Sequence, residues 1–157
     1  MNQVAERILV ADDDAVVREG LRRILGGEGY DVETVSNGHA ALERLRQASF
    51  RLLVTDLKMP GMSGLEVLQA VRASQPELPV VLITGYAAID NAVEAMKNGA
   101  TDYLSKPFGV REFRCRIEAL LRRIRPEEGH EDMRLPVVAD SGTRFLDAKD
   151  IVYIEGV

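Results

Sequence analysis

Four places in the sequence hold residues equipped for chemistry. Asp12, Asp13 and Asp14 follow the apolar run Ile8–Ala11, and Asp56 follows Leu52–Thr55. Thr84 follows Val80–Ile83, and Lys106, in "DYLSKPF", follows a short run around Tyr103–Leu104. Carboxylates crowded this closely repel unless a cation sits among them. Ligands that are all oxygen favour Mg²⁺, which keeps several waters and takes one or two carboxylates plus phosphate oxygens. An aspartate is a covalent acceptor of phosphoryl groups. A lysine beside it pairs with phosphoryl oxygens as a point charge, and a threonine hydroxyl donates to another. Such a transfer needs chiefly positioning and charge stabilisation. Singly, each residue has an ordinary reading as a cap, a turn or a solvated side chain; their recurrence at successive strand ends makes a site.

For these residues to meet, the strands must run the same way. Between residues 8 and 125, β-type runs (the four above and a weaker one at Val32–Val35) alternate with helical segments. Apolar spacings of three and four predict helices over Val16–Leu25, Ala40–Ala48, Leu65–Val71, Ile89–Met96 and Val110–Ile124. Turn signals fall at Gly26-Gly27, Asn37-Gly38, Pro60-Gly61 and Asn98-Gly99. In the last helix, Glu112–Arg116 and Glu118–Arg122 have the spacing of ion pairs. Five strand–helix repeats imply an α/β fold, a parallel sheet covered on both faces by right-handed crossovers. Ligands of such sheets bind beyond the carboxyl ends of the strands, where the strand order switches. Asp14 suits the cap of the first helix, a position that also favours negative charge.

Composition narrows the class. With 157 residues, 46% hydrophobic and 29% charged, the chain is long enough for one domain with a core plus an appendage. No apolar run has the length of a membrane helix, and MNQVAER lacks the pattern of a signal peptide, so a cytoplasmic protein is expected. Cys115 is the one cysteine, which excludes an intrachain disulfide and a cysteine zinc cluster. His39 and His130 stand far apart. Residues 1–125 hold 17 basic and 17 acidic side chains, residues 126–157 hold 3 and 8, and neither part has the basic excess of a nucleic-acid surface.

The stretches "ILVADDD", "LLVTDLKMPGMSGLE", "VVLITGYAA" and "AMKNGATDYLSKPF" with the closing helix resemble the receiver domain of two-component response regulators over residues 6–125. "TGYAAIDNAVEAMKNGATDYLSKPF" looks most like receivers of the nitrogen-regulatory class. The resemblance implies a doubly wound, flavodoxin-like (βα)₅ fold of strand order 2-1-3-4-5. It implies that Asp56 accepts a phosphoryl group from a phosphohistidine on a sensor histidine kinase. Asp13, Asp56 and the main-chain carbonyl of Lys58 would bind Mg²⁺, with Mn²⁺ as a substitute, and Asp12 would act through a bound water. Thr84 and Lys106 would bind the phosphoryl group. Thr84 and Tyr103 fall on switch positions that would reshape the face made by the fourth helix, fifth strand and fifth helix, through which a homodimer is also expected. Lys58 and Tyr86 fall on positions that tune lifetime; neither is suited to orient a water, so slow self-dephosphorylation is expected. No turnover enzyme is implied.

Two other readings compete. "DDDAV" after an apolar strand also resembles the haloacid-dehalogenase phosphatase motif, with Asp12 as nucleophile and Asp14 as general acid. That family needs an acidic metal motif after its lysine, whereas "KPFGVREFR" follows Lys106, and the reading leaves Asp56 without a role. The second alternative is a stand-alone receiver acting through protein–protein contacts. A dinucleotide or P-loop site is excluded by the lack of either glycine pattern.

Residues 126–133, PEEGHEDM, read as a linker. The tail, residues 134–157, predicts a hairpin of Leu135–Ala139 and Thr143–Leu146 and a third strand at Ile151–Ile154. "LDAKDIVYIEGV" resembles the opening strands of a LytTR DNA-binding domain. DNA recognition and transcription are then expected only of a longer parent protein, because this tail lacks the basic patch that phosphate contacts need. Its unpaired strand edges make pairing with a second chain's tail a further expectation.

Overall fold

The computed structural model describes residues 4–85, 89–124, 134–139 and 142–147. Tyr86 and the strand expected at Ile151–Ile154 lie outside them. The chain forms two compact units, Met1–Ile124 and Arg125–Val157.

The first unit runs β1 (Arg7–Ala11), α1 (Ala15–Gly27), β2 (Asp31–Val35), α2 (Gly38–Gln47), β3 (Leu52–Asp56), α3 (Gly64–Ser74), β4 (Val80–Thr84), α4 (Ile89–Lys97), β5 (Asp102–Ser105) and α5 (Val110–Ile124). The strands form one parallel sheet of order β2-β1-β3-β4-β5. This is the doubly wound, flavodoxin-like fold. Strand side chains alternate between faces, so both sides of the sheet build a core. Leu9, Leu53 and Leu82 pack with Ala41 and Leu45 of α2, Val67, Leu68 and Val71 of α3 and Ala95 of α4. Ile8, Val10, Leu52, Val54, Val81 and Ile83 pack with Leu21 and Leu25 of α1 and Phe113, Ile117 and Leu121 of α5. Growth of the sheet reverses direction after β2, and α2 accordingly lies on the opposite face from α1. The strand order switches between β1 and β3.

Local signals explain the helix ends. Asp14 caps α1, its carboxylate accepting from the N–H groups of Val16 and Val17. Asn37 caps α2, and Ser63 with Glu66 forms a reciprocal capping box on α3. One turn differs from the sequence expectation: Gly26 and Gly27 remain in the last turn of α1, and the reversal falls at Gly29, whose φ is +92°. Leu25 supplies the carbonyl that Glu28 and Tyr30 bond to, which carries the helix past the glycine pair. The ion pairs Glu112–Arg116 and Glu118–Arg122 form on α5 as their spacing predicts.

The second unit holds an antiparallel hairpin of β6 (Arg134–Ala139) and β7 (Gly142–Asp147), with Arg134 opposite Asp147 and Ala139 opposite Gly142. Gly142, expected in the turn, begins β7. No helix among the described residues is long and apolar enough to cross a membrane.

Candidate functional site

Parallel register brings the strand ends to one edge. Ala11 lies opposite Thr55, Asp56 opposite Ile83, and Thr84 opposite Ser105. Asp12 and Asp13 therefore leave the sheet beside Asp56, and Lys106 leaves it one strand beyond Thr84. The ladder continues into these loops: the Leu57 N–H donates to Ile83 O at 3.0 Å and the Lys106 N–H to Thr84 O at 2.7 Å. The Lys106–Pro107 peptide is cis.

One carboxylate oxygen from each of Asp12, Asp13 and Asp56 lies within 4.8 Å of the others. Asp12 is fully buried and Asp56 is 8% exposed, while Asp13 is open to solvent. Lys106 Nζ stands 3.1 Å from Asp12 Oδ2 and 3.8 Å from Asp56 Oδ2. Burial raises the Asp56 carboxyl above its ordinary 3.8, and the negative charge of Asp12 adds to the rise. Lys106 and the Lys58 N–H, which donates to the carboxylate, pull the other way. The balance is a carboxylate short of positive charge, the condition that a divalent cation relieves.

The three acidic residues lie with Lys58, Met59, Pro60, Ser63, Gly85 and Lys106 around an open cleft of about 620 Å³. Asp14 reaches its rim, but its carboxylate is engaged on α1 as a cap. That is not the place of a general acid beside an Asp12 nucleophile. Thr84 is fully buried at the end of β4, next to Gly85 of the cleft wall. Tyr103 lies opposite Leu82, half-buried against the core beneath α2, α3 and α4, and burial raises its hydroxyl above the ordinary value of 10.0. Tyr86 is outside the described residues.

Two features of the site are not legible as such in the sequence. Gly64 opens α3 against the backbone of Asp56: its N–H donates to Leu57 O at 2.8 Å, and a Cβ there would stand 2.1 Å from Asp56 O. The sequence marks it only as a glycine shortly after the Pro60-Gly61 turn. Met59, Pro60 and Ser63 line the cleft without any chemistry to mark them, although Ser63-x-x-Glu66 was legible as a capping box.

Comparison with known proteins agrees with this geometry. The family model "Response regulator receiver domain" matches residues 8–118. Response regulator MprA of Mycobacterium bovis is 42% identical over 129 residues, 82% of this chain and 56% of the relative, so the chain spans about half the length of that protein. A CheY-like receiver domain protein from Methanospirillum hungatei superposes with a TM-score of 0.74 at 31% identity, covering 77% of this chain and 97% of that one. TrrA from Thermotoga maritima, in complex with Mg²⁺–BeF, superposes at 0.68 with 33% identity, covering 73% and 98%. With its strand-end aspartates gathered at the switch in strand order, the chain belongs to the response regulator receiver domain family.

Proposed function

We propose that this chain is a phosphorylation-dependent receiver in which Asp56 accepts a phosphoryl group from the phosphohistidine of a sensor histidine kinase. The observation that carries the reading is the gathering of Asp12, Asp13, Asp56 and Lys106 in one cleft. A new O–P bond forms at Asp56 as the P–N bond to the kinase histidine breaks. Lys106 Nζ, already facing both buried carboxylates, pairs with a phosphoryl oxygen, and the Thr84 hydroxyl donates to another. Thr84 and Tyr103 then act as the switch that alters the face of α4, β5 and α5.

The donor set fits Mg²⁺, with Mn²⁺ as substitute. One carboxylate oxygen from each of the three aspartates lies within 4.8 Å of the others, an all-oxygen set of the kind that Mg²⁺ favours. In this reading Asp13, Asp56 and the Lys58 carbonyl hold the ion and Asp12 acts through a water. When bound, the ion would supply positive charge to offset that of the incoming phosphoryl group. The similar TrrA chain forms a complex with Mg²⁺–BeF, which supports Mg²⁺ as the ion.

The receiver modifies only itself and turns over no external substrate. Its output, transcription, belongs to a full-length parent whose DNA-binding part the LytTR-like tail begins, and its place is the cytoplasm. Incubation with acetyl phosphate and Mg²⁺ tests the central step. Intact mass should rise by one phosphoryl group, and Asp56→Asn should abolish the rise. A wild-type protein that gains no mass from acetyl phosphate or from a phosphorylated histidine kinase overturns the reading.

A further inference from the structure

Asp12 is tied at every polar group. Its N–H donates to Val35 O at 3.2 Å, its Oδ1 accepts the Asp14 N–H at 2.9 Å, and its Oδ2 faces Lys106. Its main-chain carbonyl accepts Nη1 of Arg18 at 2.7 Å. Arg18 stands in the first turn of α1, where its own N–H donates to Asp14 O at 3.0 Å. Side chains on a helix lean back toward its N-terminus, which lets this guanidinium reach a carbonyl six residues earlier.

That carbonyl matters because the peptide unit is planar. The Asp12 oxygen and the Asp13 nitrogen belong to one rigid plate, so holding the oxygen fixes the plate from which Asp13 projects. Asp13 itself is exposed. Arg18 is not used as a counter-charge to the acidic trio: the cation facing Asp12 and Asp56 is Lys106, and Arg18 takes a neutral oxygen instead.

We propose that Arg18 is a positioning residue: by clamping the Asp12 carbonyl it aims the Asp13 carboxylate and thereby sets the affinity of the site for Mg²⁺. The proposal rests on the Mg²⁺ reading above. Two effects of removing Arg18 have opposite signs. Loss of a nearby cation would tighten Mg²⁺ binding, and loss of the clamp weakens it. Partners that orient metal ligands are commonly worth about tenfold or more in metal affinity, so the clamp prevails.

The test is calorimetric titration of the full chain with Mg²⁺ alone, without phosphorylation, for wild type, Arg18→Ala, Arg18→Lys, Arg22→Ala and Asp13→Asn. Arg22 is exposed on the same helix and controls for a change of charge. Arg18→Ala should weaken Mg²⁺ about tenfold while circular dichroism in EDTA stays that of wild type. Arg18→Lys, which keeps the charge but lacks the planar guanidinium, should bind Mg²⁺ with an affinity between those of wild type and Arg18→Ala, and Arg22→Ala should bind as wild type does. Should Arg18→Ala fail to fold, Arg18→Lys decides between the two effects, because it keeps the charge and alters only the clamp; a measurable weakening supports the proposal. Wild-type or tighter affinity in the folded Arg18 variants overturns it, as does an equal loss in Arg22→Ala. A wild-type chain that does not bind Mg²⁺, or an Asp13→Asn variant that binds it undiminished, overturns the metal reading itself.

Discussion

A Cβ on Gly64 would stand 2.1 Å from the main-chain oxygen of Asp56. The start of α3 is thus seated directly on the backbone of the residue at the centre of the site, and only a residue without a side chain allows it. Gly64→Ala must push α3 and β3 apart. Denaturant unfolding should show a loss of about 2–3 kcal/mol, and acetyl-phosphate labelling of Asp56 should fall with it. Gly61→Ala is the contrast: no atom lies within 4 Å of its Cβ position, but φ is +82°, so about 1 kcal/mol should be lost with labelling intact.

Lys106 supplies the positive charge that faces buried Asp12. Lys106→Met leaves that carboxylate without its ion pair. In EDTA the variant should be about 2 kcal/mol less stable, measured by urea unfolding. Mg²⁺ should bind it more tightly than wild type in a calorimetric titration, since a competing cation has gone.

The raised carboxyl of Asp56 gives a pH dependence of definite sign. A group that holds its proton more tightly when folded favours the folded state below its unfolded value, and that contribution is lost as pH rises through the folded value. For Asp56 the loss begins as pH rises above 3.8. Metal-free Asp56→Asn should therefore melt a few degrees higher than wild type at pH 7, with the gap closing toward pH 4. Mg²⁺ should raise the melting temperature of wild type more than that of the variant.

Adjacent aspartates should separate cleanly by substitution. Asp14→Ala removes the cap of α1 and should cost about 1 kcal/mol, whereas Asp14→Asn keeps a capping oxygen and should cost little. Both should still be labelled on Asp56 in a mass assay. Asp13→Asn leaves the cap in place and should abolish or greatly slow labelling.

Lys58 lines the cleft and brings no group suited to orient a water toward the acyl phosphate. The labelled protein should lose its phosphoryl group slowly. Lys58→Asn supplies an amide and should shorten the half-life several-fold, followed by intact mass after removal of acetyl phosphate.

The fold was legible because each element repeats a period that sequence records. All five parallel strands sit where the apolar runs lie, each extended by a residue or two, and α5 spans the stretch its spacing predicts. The acidic residues were legible because three carboxylates at a strand end need a cation, and Asp14 because a helix starts beside it. What stayed hidden depends on distance in space. Gly64 meets Asp56 only once α3 folds back on β3. Arg18 reads as a solvated helix residue until its side chain is seen to turn back over Asp12. Glu33 of β2, held by Arg7 of β1 and Arg44 of α2, shows no local pattern at all. The pair Gly26-Gly27 misled in the other direction: two glycines signal an end, but the reversal waits for Gly29.

The sheet also acts as a partition. Leu9 and Val10 are neighbours in β1, yet one belongs to the layer of α2, α3 and α4 and the other to the layer of α1 and α5. Tyr103 and the buried side of α4 share the first layer; Phe113 and the buried side of α5 share the second. Were Tyr103 to rearrange as proposed, the repacking would fall in the first compartment, while α4 and α5 rest on separate interiors. Coordination between α4 and α5 then runs through strands that serve both layers, among them β5, with Tyr103 in the first and Leu104 in the second, and β4, with Leu82 in the first and Val81 and Ile83 in the second.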